Sequence, residues 1–239
     1  MLEQVNFCIF QDSPRNYGTI GYLHKDNEKR IKLVGTDGFR LSLCSLDLKT
    51  PESFLKNGVC LSKRALSEIL KMCHETEENL KISISKDSST LLASIDNYQL
   101  YVLLSAVKYP NYQSVLPKKL GKSLSLSRGK LQNVVKRVLL AADKTKAVQL
   151  NFTKTRLTLS SKTLGSSEGR EEIAIDGYRG ENCTLGVNGK FLTDIFMHAI
   201  SDDMRISFES EEHPLVFVPK EEPTGCSSQH VLVPIRDSE

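Results

Sequence analysis

The chain contains two copies of one sequence pattern, and this repeat limits the possible folds more than any other feature. Residues 61–70 (LSKRALSEIL) recur in outline at residues 187–196 (VNGKFLTDIF). Each copy is followed by a similar alternating segment, which is residues 80–85 (LKISIS) in the first and residues 204–209 (MRISFE) in the second. A spacing of roughly 125 residues is too long for a solenoid and suits two related domains. We therefore expect a tandem of two similar domains.

Earlier segments of the two copies correspond in the same order, because residues 2–5 match residues 131–134 in outline. The junction between the copies is placed at residues 117–122 (PKKLGK), a short basic link bracketed by proline and glycine. The predicted domains are therefore residues 1–117 and residues 118–239.

Hydrophobic periodicity predicts the elements of each copy. Apolar side chains fall at the helical positions i, i+3, i+4, i+7 and i+8 in one segment, at Leu131, Val134, Val135, Val138 and Leu139. A similar pattern occurs in the first copy at Leu66, Ile69, Leu70 and Cys73. Residues 81–85 instead alternate between polar and apolar side chains, as strands do. Each domain is predicted to contain two helices that cover one face of an antiparallel sheet, which is an α+β fold.

Composition and charge exclude several classes of protein. The chain has 32 Lys and Arg residues against 29 Asp and Glu residues, and its net charge of +3 is too weak for a polybasic nucleic-acid binder. No apolar run approaches the ~20 residues of a membrane helix, and the first residues lack a basic signal-peptide region. The six cysteines are scattered without C-x-x-C spacing. We expect a reduced cytoplasmic protein with no membrane partner, in preference to a disulfide framework.

No group of residues in the sequence assembles a catalytic site. The segment Gly121-Lys122-Ser123 lacks the preceding glycine of a phosphate-binding loop. The five histidines lack the spacing of metal ligands. The carboxylates of residues 75–78 follow an apolar helix, where a solvated helix end is the simpler interpretation than an acid–base pair. We predict a protein that is not an enzyme and that takes no metal or cofactor.

The outer faces of two predicted helices carry positive charge. The basic residues are Lys63, Arg64 and Lys71 in the first copy, and Arg128, Lys130, Lys136 and Arg137 in the second. Acidic residues, such as Glu68, interrupt the pattern. A surface of this kind suits sequence-independent contact with phosphates. A solvated stripe without a ligand is the alternative.

Three motifs lie in order along the chain. They are residues 36–42 (TDGFRLS), residues 109–117 (YPNYQSVLP) and, near the end, residues 230–236 (HVLVPIR). Together they resemble motifs of the bacterial DNA polymerase III sliding clamp family (the β subunit). The resemblance covers the middle and C-terminal domains of that family without the N-terminal domain, and Met1 falls within the first helix of the middle domain. The sequence leaves open whether the chain is a fragment or a shortened gene product.

The resemblance implies repeated clamp domains and a non-enzymatic DNA sliding clamp, or replication processivity factor. Such clamps close as rings around double-stranded DNA, and the full-length form is a head-to-tail homodimer. The implied partners are DNA of any sequence, the replicative polymerase, the clamp loader and repair proteins that carry short linear motifs. By the resemblance, Arg15 and Tyr17 lie in a loop that touches DNA, and Pro14 lies in the same loop. The implied location is the cytoplasm, at the nucleoid.

The resemblance also implies a pocket for the short linear motifs. Matched residue by residue, the pocket is lined by Thr19, Thr36, Gly38, Phe39, Arg40, Leu41, Pro110, Ser114, Val115, Asn188, Phe191, Pro214, Val231, Val233, Pro234, Ile235 and Arg236. An apolar floor with a few polar groups suits a short hydrophobic peptide. Ser114 and Thr19 make this pocket more polar than is usual in the family, and residues 237–239 (DSE) add acid beside it. The alternative is that the last residues are simply an alternating final strand.

Two rival hypotheses stand beside the clamp. The first is a truncated clamp-like module that binds partner peptides without closing a ring, because the missing domain forms the subunit contact in the family. The second is an enzyme on an α+β fold, which the lack of a catalytic constellation disfavours. For the chain alone, we predict a monomer or weak oligomer that does not stay on circular DNA.

Overall fold

The computed structural model describes residues 1–12, 15–163 and 167–235. Its helices and antiparallel strands confirm the predicted α+β class. No helix in these ranges has both the length and the apolar character needed to cross a membrane. Three features of the sequence analysis, namely Pro14, Arg236 and residues 237–239, lie outside the described residues.

The chain divides into two compact units. The first comprises Met1–Asn111 and Pro223–Ser228, and the second comprises Tyr112–Glu222 and the residues from Gln229 onward. The main division therefore falls a few residues before the boundary predicted at Pro117.

The first unit contains two groups of antiparallel strands and two helices. Its elements are α1 (Leu2–Asn6), β1 (Ile20–Asn27), β2 (Arg30–Thr36), β3 (Arg40–Asp47), β4 (Val59–Ser62), α2 (Lys63–Glu75), β5 (Lys81–Ile84), β6 (Thr90–Ile95) and β7 (Tyr98–Leu103). In one group the strands lie side by side in the order β4-β1-β2-β3, and in the other in the order β5-β6-β7. Short hairpins join β1 to β2 and β6 to β7, as the local antiparallel register requires.

Helix α2 forms where the apolar spacing predicts it. The helix begins after Ser62, whose Oγ accepts a hydrogen bond from the Ala65 backbone N–H at 3.2 Å. This cap satisfies one of the N–H groups that a helix start leaves without an intrahelical partner. Leu66 and Ile69 are buried in the core of the unit, whereas Leu70 and Cys73 are only partly buried.

The second unit repeats this plan with one additional strand. Its elements are β8 (Lys122–Ser127), α3 (Arg128–Val138), β9 (Ala147–Phe152), β10 (Arg156–Thr163), β11 (Ser167–Ala174), β12 (Cys183–Asn188), α4 (Gly189–His198), β13 (Asp203–Phe208), β14 (Leu215–Pro219) and β15 (Cys226–Leu232), of which the part from Gln229 onward belongs to this unit. Strands β11, β10, β9 and β12 form one antiparallel group, and β8, β13, β14 and β15 form the other.

Helices α3 and α4 bury the apolar faces that their spacing predicts. Leu131, Val134, Val135 and Val138 of α3 are all buried. In α4, the Asn188 side chain caps the first turn by accepting hydrogen bonds from the N–H groups of Lys190 and Phe191 at 3.0 and 3.1 Å. Asn188 therefore occupies in the second unit the position that Ser62 occupies in the first. The core between the elements contains large aromatic side chains, such as Phe152 and Phe208 with ring centroids 5.1 Å apart.

Candidate functional site

The TDGFR motif forms a tightly hydrogen-bonded turn between β2 and β3. Asp37 Oδ1 accepts hydrogen bonds from the N–H groups of Phe39 and Arg40 at 2.9 and 3.0 Å. Thr36 Oγ1 donates to the Arg40 carbonyl at 2.6 Å and accepts from the Gly38 N–H at 3.1 Å. These bonds fix the backbone of all five residues, which is the role that Asp and Thr side chains commonly take in turns.

A buried ion pair anchors this turn to the first unit. Arg40 Nε lies 2.8 Å from Asp37 Oδ2, and both side chains are almost completely inaccessible to solvent. Arg40 Nη2 also donates to the Phe7 carbonyl at 3.0 Å, and the guanidinium lies 5.4 Å from the centre of the Phe7 ring. The charges thus have both an ionic partner and further hydrogen bonds, which a buried pair requires.

The turn presents Phe39 at the surface, where the ring is 54% exposed. The Arg15 guanidinium lies over this ring, 5.3 Å from its centre. Gly38 has a φ of +91°, and a Cβ at this position would collide with the Arg15 guanidinium. The structure therefore brings together a predicted DNA-contact residue and two predicted pocket residues, and it explains why glycine occupies the position between Asp37 and Phe39.

The remaining predicted pocket residues of the first unit differ in exposure. Pro110 is exposed, and Thr19 is partly buried with its Oγ1 donating to the Asn16 carbonyl at 3.0 Å. Leu41 is 3% exposed in β3, and its side chain therefore belongs to the core. Tyr17, the second residue predicted to contact DNA in this loop, is partly buried in a short 3-10 turn.

In the second unit, the segment after β15 runs beside β12. The Ile235 N–H donates to the Gly186 carbonyl at 2.8 Å, which fixes the end of the described chain. The side chains of Val233 and Ile235 are 43% and 36% exposed, and that of Pro234 is buried. Two predicted pocket side chains therefore lie at the surface of this segment.

Other predicted pocket residues of the second unit have mixed positions. Val115 ends a 3-10 turn and is 52% exposed, and Ser114 beside it is also exposed. Phe191 and Pro214 are partly buried, at the start of α4 and before β14. Val231 is buried within β15, so its side chain supports the strand from inside.

His230 lies in the C-terminal motif and is completely buried. Burial, and to a smaller extent the charge of nearby His198, lower the pKa of His230 to about 3. The imidazole is therefore neutral at physiological pH, as a buried histidine without a compensating negative charge should be. The sequence motif gives the position of this residue, but only the packing gives its protonation state.

The basic residues of α2 and α3 fall into two groups. Several are engaged by their own unit: Arg137 forms a two-pronged ion pair with Glu171, Arg128 pairs with Asp202 at 3.1 Å, Lys71 pairs with Glu68 at 3.0 Å, and Lys63 Nζ donates to the Ile9 carbonyl. Arg64, Lys130 and Lys136 are exposed and form no ion pair within the part of the chain that the structure describes. These three residues are the most available for an external anion.

Two residues of these surfaces were absent from the sequence prediction. Asp37 organises the turn that carries Phe39, and its position in the TDG motif was a signal that could have identified it. Glu171 lies on β11 and neutralises Arg137. The hydrogen bonds from Arg137 lower the pKa of the Glu171 carboxyl. No sequence pattern links these two residues, which lie on different elements.

Models of two successive domains from one protein family match the chain. The model described as the central domain of the DNA polymerase III beta subunit matches residues 1–111, and that of its C-terminal domain matches residues 113–236. The chain belongs to the DNA polymerase III β subunit family. The predicted relationship to the middle and C-terminal domains is thus confirmed.

Curated relatives of this family member are beta sliding clamps. The clamp of Caulobacter vibrioides is 24% identical over 241 residues, which cover 99% of this chain and 63% of the relative. The clamp of Pseudomonas aeruginosa is 25% identical over 238 residues, which cover 99% of this chain and 62% of the relative. The chain therefore spans a little under two thirds of the length of these relatives.

Solved structures show the same fold. The crystal structure of the DNA polymerase III subunit beta from Pseudomonas aeruginosa matches with a TM-score of 0.90 and 22% identity, covering 98% of this chain and 63% of that one. A sliding clamp from the same species bound to griselimycin matches with a TM-score of 0.88 and 22% identity, over the same shares of the two chains. At these identities the similarity establishes the fold of this family member.

Proposed function

We propose that the chain acts in a DNA sliding clamp, a non-enzymatic processivity factor that encircles duplex DNA and tethers polymerases and other partners through short peptides. The observation that carries this proposal is that the central and C-terminal domain models match in order over nearly the whole chain. The names of the curated relatives support it. In the full-length form the ring is a head-to-tail homodimer, and its place of action is the nucleoid in the cytoplasm.

The proposed DNA contact rests on the exposed basic residues of α2 and α3. Arg64, Lys130 and Lys136 can reach phosphates because no carboxylate among the described residues pairs with them. Contacts to phosphates carry no sequence information, and they bind with a Kd of about 10⁻⁴ to 10⁻⁶ M at physiological salt. Such weak contacts permit movement along DNA, and the ring provides the retention.

The DNA contact can be tested with a double charge reversal, Lys130→Glu with Lys136→Glu. Binding of the chain to a short duplex is measured by fluorescence anisotropy over a range of salt concentrations. Loss of two phosphate contacts should reduce the slope of log K against log salt by about 2. The control is Lys154→Glu, an exposed lysine in the turn between β9 and β10. An unchanged slope in the double variant would contradict the proposed DNA surface.

The proposed peptide contact rests on the exposed apolar side chains of the second unit. Val115, Val233 and Ile235 are large apolar residues at the surface, although such residues are usually buried. A peptide with one glutamine and two spaced large apolar residues should bind there with a Kd on the order of micromolar. The residues already buried in their own unit, such as Leu41 and Val231, would support the surface from inside.

The peptide contact can be tested by Val233→Asp, measured by calorimetric titration of the peptide. A buried charge in the contact should weaken binding at least about tenfold, as loss of a central apolar anchor does. The matched control is Leu140→Asp, because Leu140 is 87% exposed in the same unit but lies after α3. Equal affinity of the Val233 variant and the wild-type chain would remove the support for this site.

The two experiments together separate the clamp from the rival interaction module. A module that binds peptides without closing a ring has no need for the basic residues of α2 and α3. It would lose peptide affinity in Val233→Asp, but its DNA binding would not respond to reversal of Lys130 and Lys136. The sliding clamp requires both responses.

A further inference from the structure

The core of the first unit contains an apolar cavity of about 730 Å³. Leu33 of β2, Leu66 and Cys73 of α2, and Ile82 of β5 are among its walls. Protein interiors are usually packed as densely as organic crystals, so a space of this size in a core requires an explanation. Its volume lies in the range of about 300–1,000 Å³ that is typical of ligand pockets.

The second unit shows what occupies the corresponding place. Strand β13 matches β5 in the internal repeat, and it pairs with β14 on one edge and with β8 on the other. Along β8, Leu124 lies opposite Ile206 and Leu126 lies opposite Met204. Strand β5 pairs with β6 along one edge only, and no strand in the described ranges pairs with its other edge.

Side-chain burial differs between the two units in the way that a missing cover strand requires. Met204, Ile206 and Phe208 of β13 are at most 2% exposed, whereas their counterparts Leu80, Ile82 and Ile84 are only partly buried. The following helices differ in the same way. Phe196 of α4 is buried, and its counterpart Leu70 of α2 is partly exposed at the cavity wall. The apolar surface of the first unit is therefore built for an element that the described chain places only in the second.

We propose that the open edge of β5 and the cavity behind it form a docking site for an extended peptide of another polypeptide. The partner segment has alternating apolar and polar residues, as β8 does. Its backbone would pair with the N–H and C=O groups of β5, because an open strand edge is a template for an added strand. Its apolar side chains would enter the cavity and be removed from water.

The test uses the intact chain and a synthetic peptide with the β8 sequence, residues 122–131 (KSLSLSRGKL). Calorimetry should show binding of one peptide per chain. A peptide with Leu124→Ser and Leu126→Ser should not bind, because it keeps the strand but loses the apolar side chains. A peptide with Ser125→Pro should bind more weakly, because it loses a backbone donor.

Substitutions in β5 identify the edge. Ile82→Lys should weaken peptide binding at least about tenfold, because it places a charge at the cavity wall. The matched control is Ser83→Lys, since Ser83 is exposed and points to the opposite face of the same strand. Binding that is the same in Ile82→Lys and in the wild-type chain would overturn the proposal, because the peptide would then be replacing β8 in the second unit.

A second measurement does not depend on a variant. Cys73 lines the cavity, and bound peptide should slow its alkylation, while Cys226 provides an internal reference within the same sample. Mass spectrometry of the digested protein measures both thiols. Unchanged alkylation of Cys73 at saturating peptide would overturn the proposal. So would a dimer that forms through the β5 edge and excludes the peptide, because the occupant would then be a second copy of this chain.

Discussion

The ion pair between Asp37 and Arg40 provides the sharpest test of how the first unit holds its exposed turn. The two side chains are 0% and 3% exposed, and the Asp37 carboxylate also accepts two backbone hydrogen bonds. Asp37→Ala would leave the Arg40 guanidinium buried with its ionic partner removed. Breaking a buried pair in this way typically costs about 3–5 kcal/mol of unfolding free energy. A loss of that size should lower the Tm of the unit by at least about 10 °C.

The assay is urea unfolding, with hydrogen exchange used to localise the change. Amides of β2 and β3 should lose protection in Asp37→Ala, whereas those of the second unit should not. Asp37→Asn should be less destabilising, because its amide oxygen can still accept from the N–H groups of Phe39 and Arg40. The matched control is Glu68→Ala, which breaks the exposed pair with Lys71 and should change stability little. A loss below about 1 kcal/mol in Asp37→Ala would refute the assigned role of the buried pair.

Two further predictions concern ionisable groups of the second unit. The pKa of His230 is about 3 in the folded protein and about 6.5 when unfolded, so the unfolding free energy should fall as the pH drops from about 6.5 towards 3. His230→Gln should reduce this slope in unfolding titrations, and the same change at exposed His213 should not; equal slopes would contradict a buried neutral imidazole. Glu171→Gln should release Arg137 and raise the salt dependence of DNA binding by about one unit of slope, and an unchanged slope would show that Arg137 does not reach DNA.

The sequence predicts helices better than it predicts the arrangement of strands. The spacing of Leu131, Val134 and Val138 indicates both a helix and its buried face, because one helical turn defines both. Alternation in residues 81–85 indicates a strand and its two faces, but not the strands beside it. Neighbouring strands come from distant parts of the chain, as β13 and β8 do. The division of each unit into two groups of strands therefore required the structure.

The candidate surfaces were predicted unevenly for a similar reason. The TDG sequence indicates a turn, yet only the structure shows Arg15 over the Phe39 ring and Asp37 buried beneath it. The basic spacing of α3 predicts an exposed stripe, but Glu171 on a separate strand neutralises Arg137. The assignment of all predicted residues to one peptide pocket stays a prediction.

The acidic partners on the helices fit the proposed function better than a uniformly basic face would. Each phosphate contact adds to the affinity and to its salt dependence, so seven free cations would hold DNA tightly at one place. Glu68, Glu171 and Asp202 engage Lys71, Arg137 and Arg128, which leaves a small number of exposed cations. A ring that retains DNA by enclosure needs contacts that break easily, because each step along the duplex exchanges one phosphate for the next. The weak net charge of +3 is therefore consistent with a protein that moves on DNA.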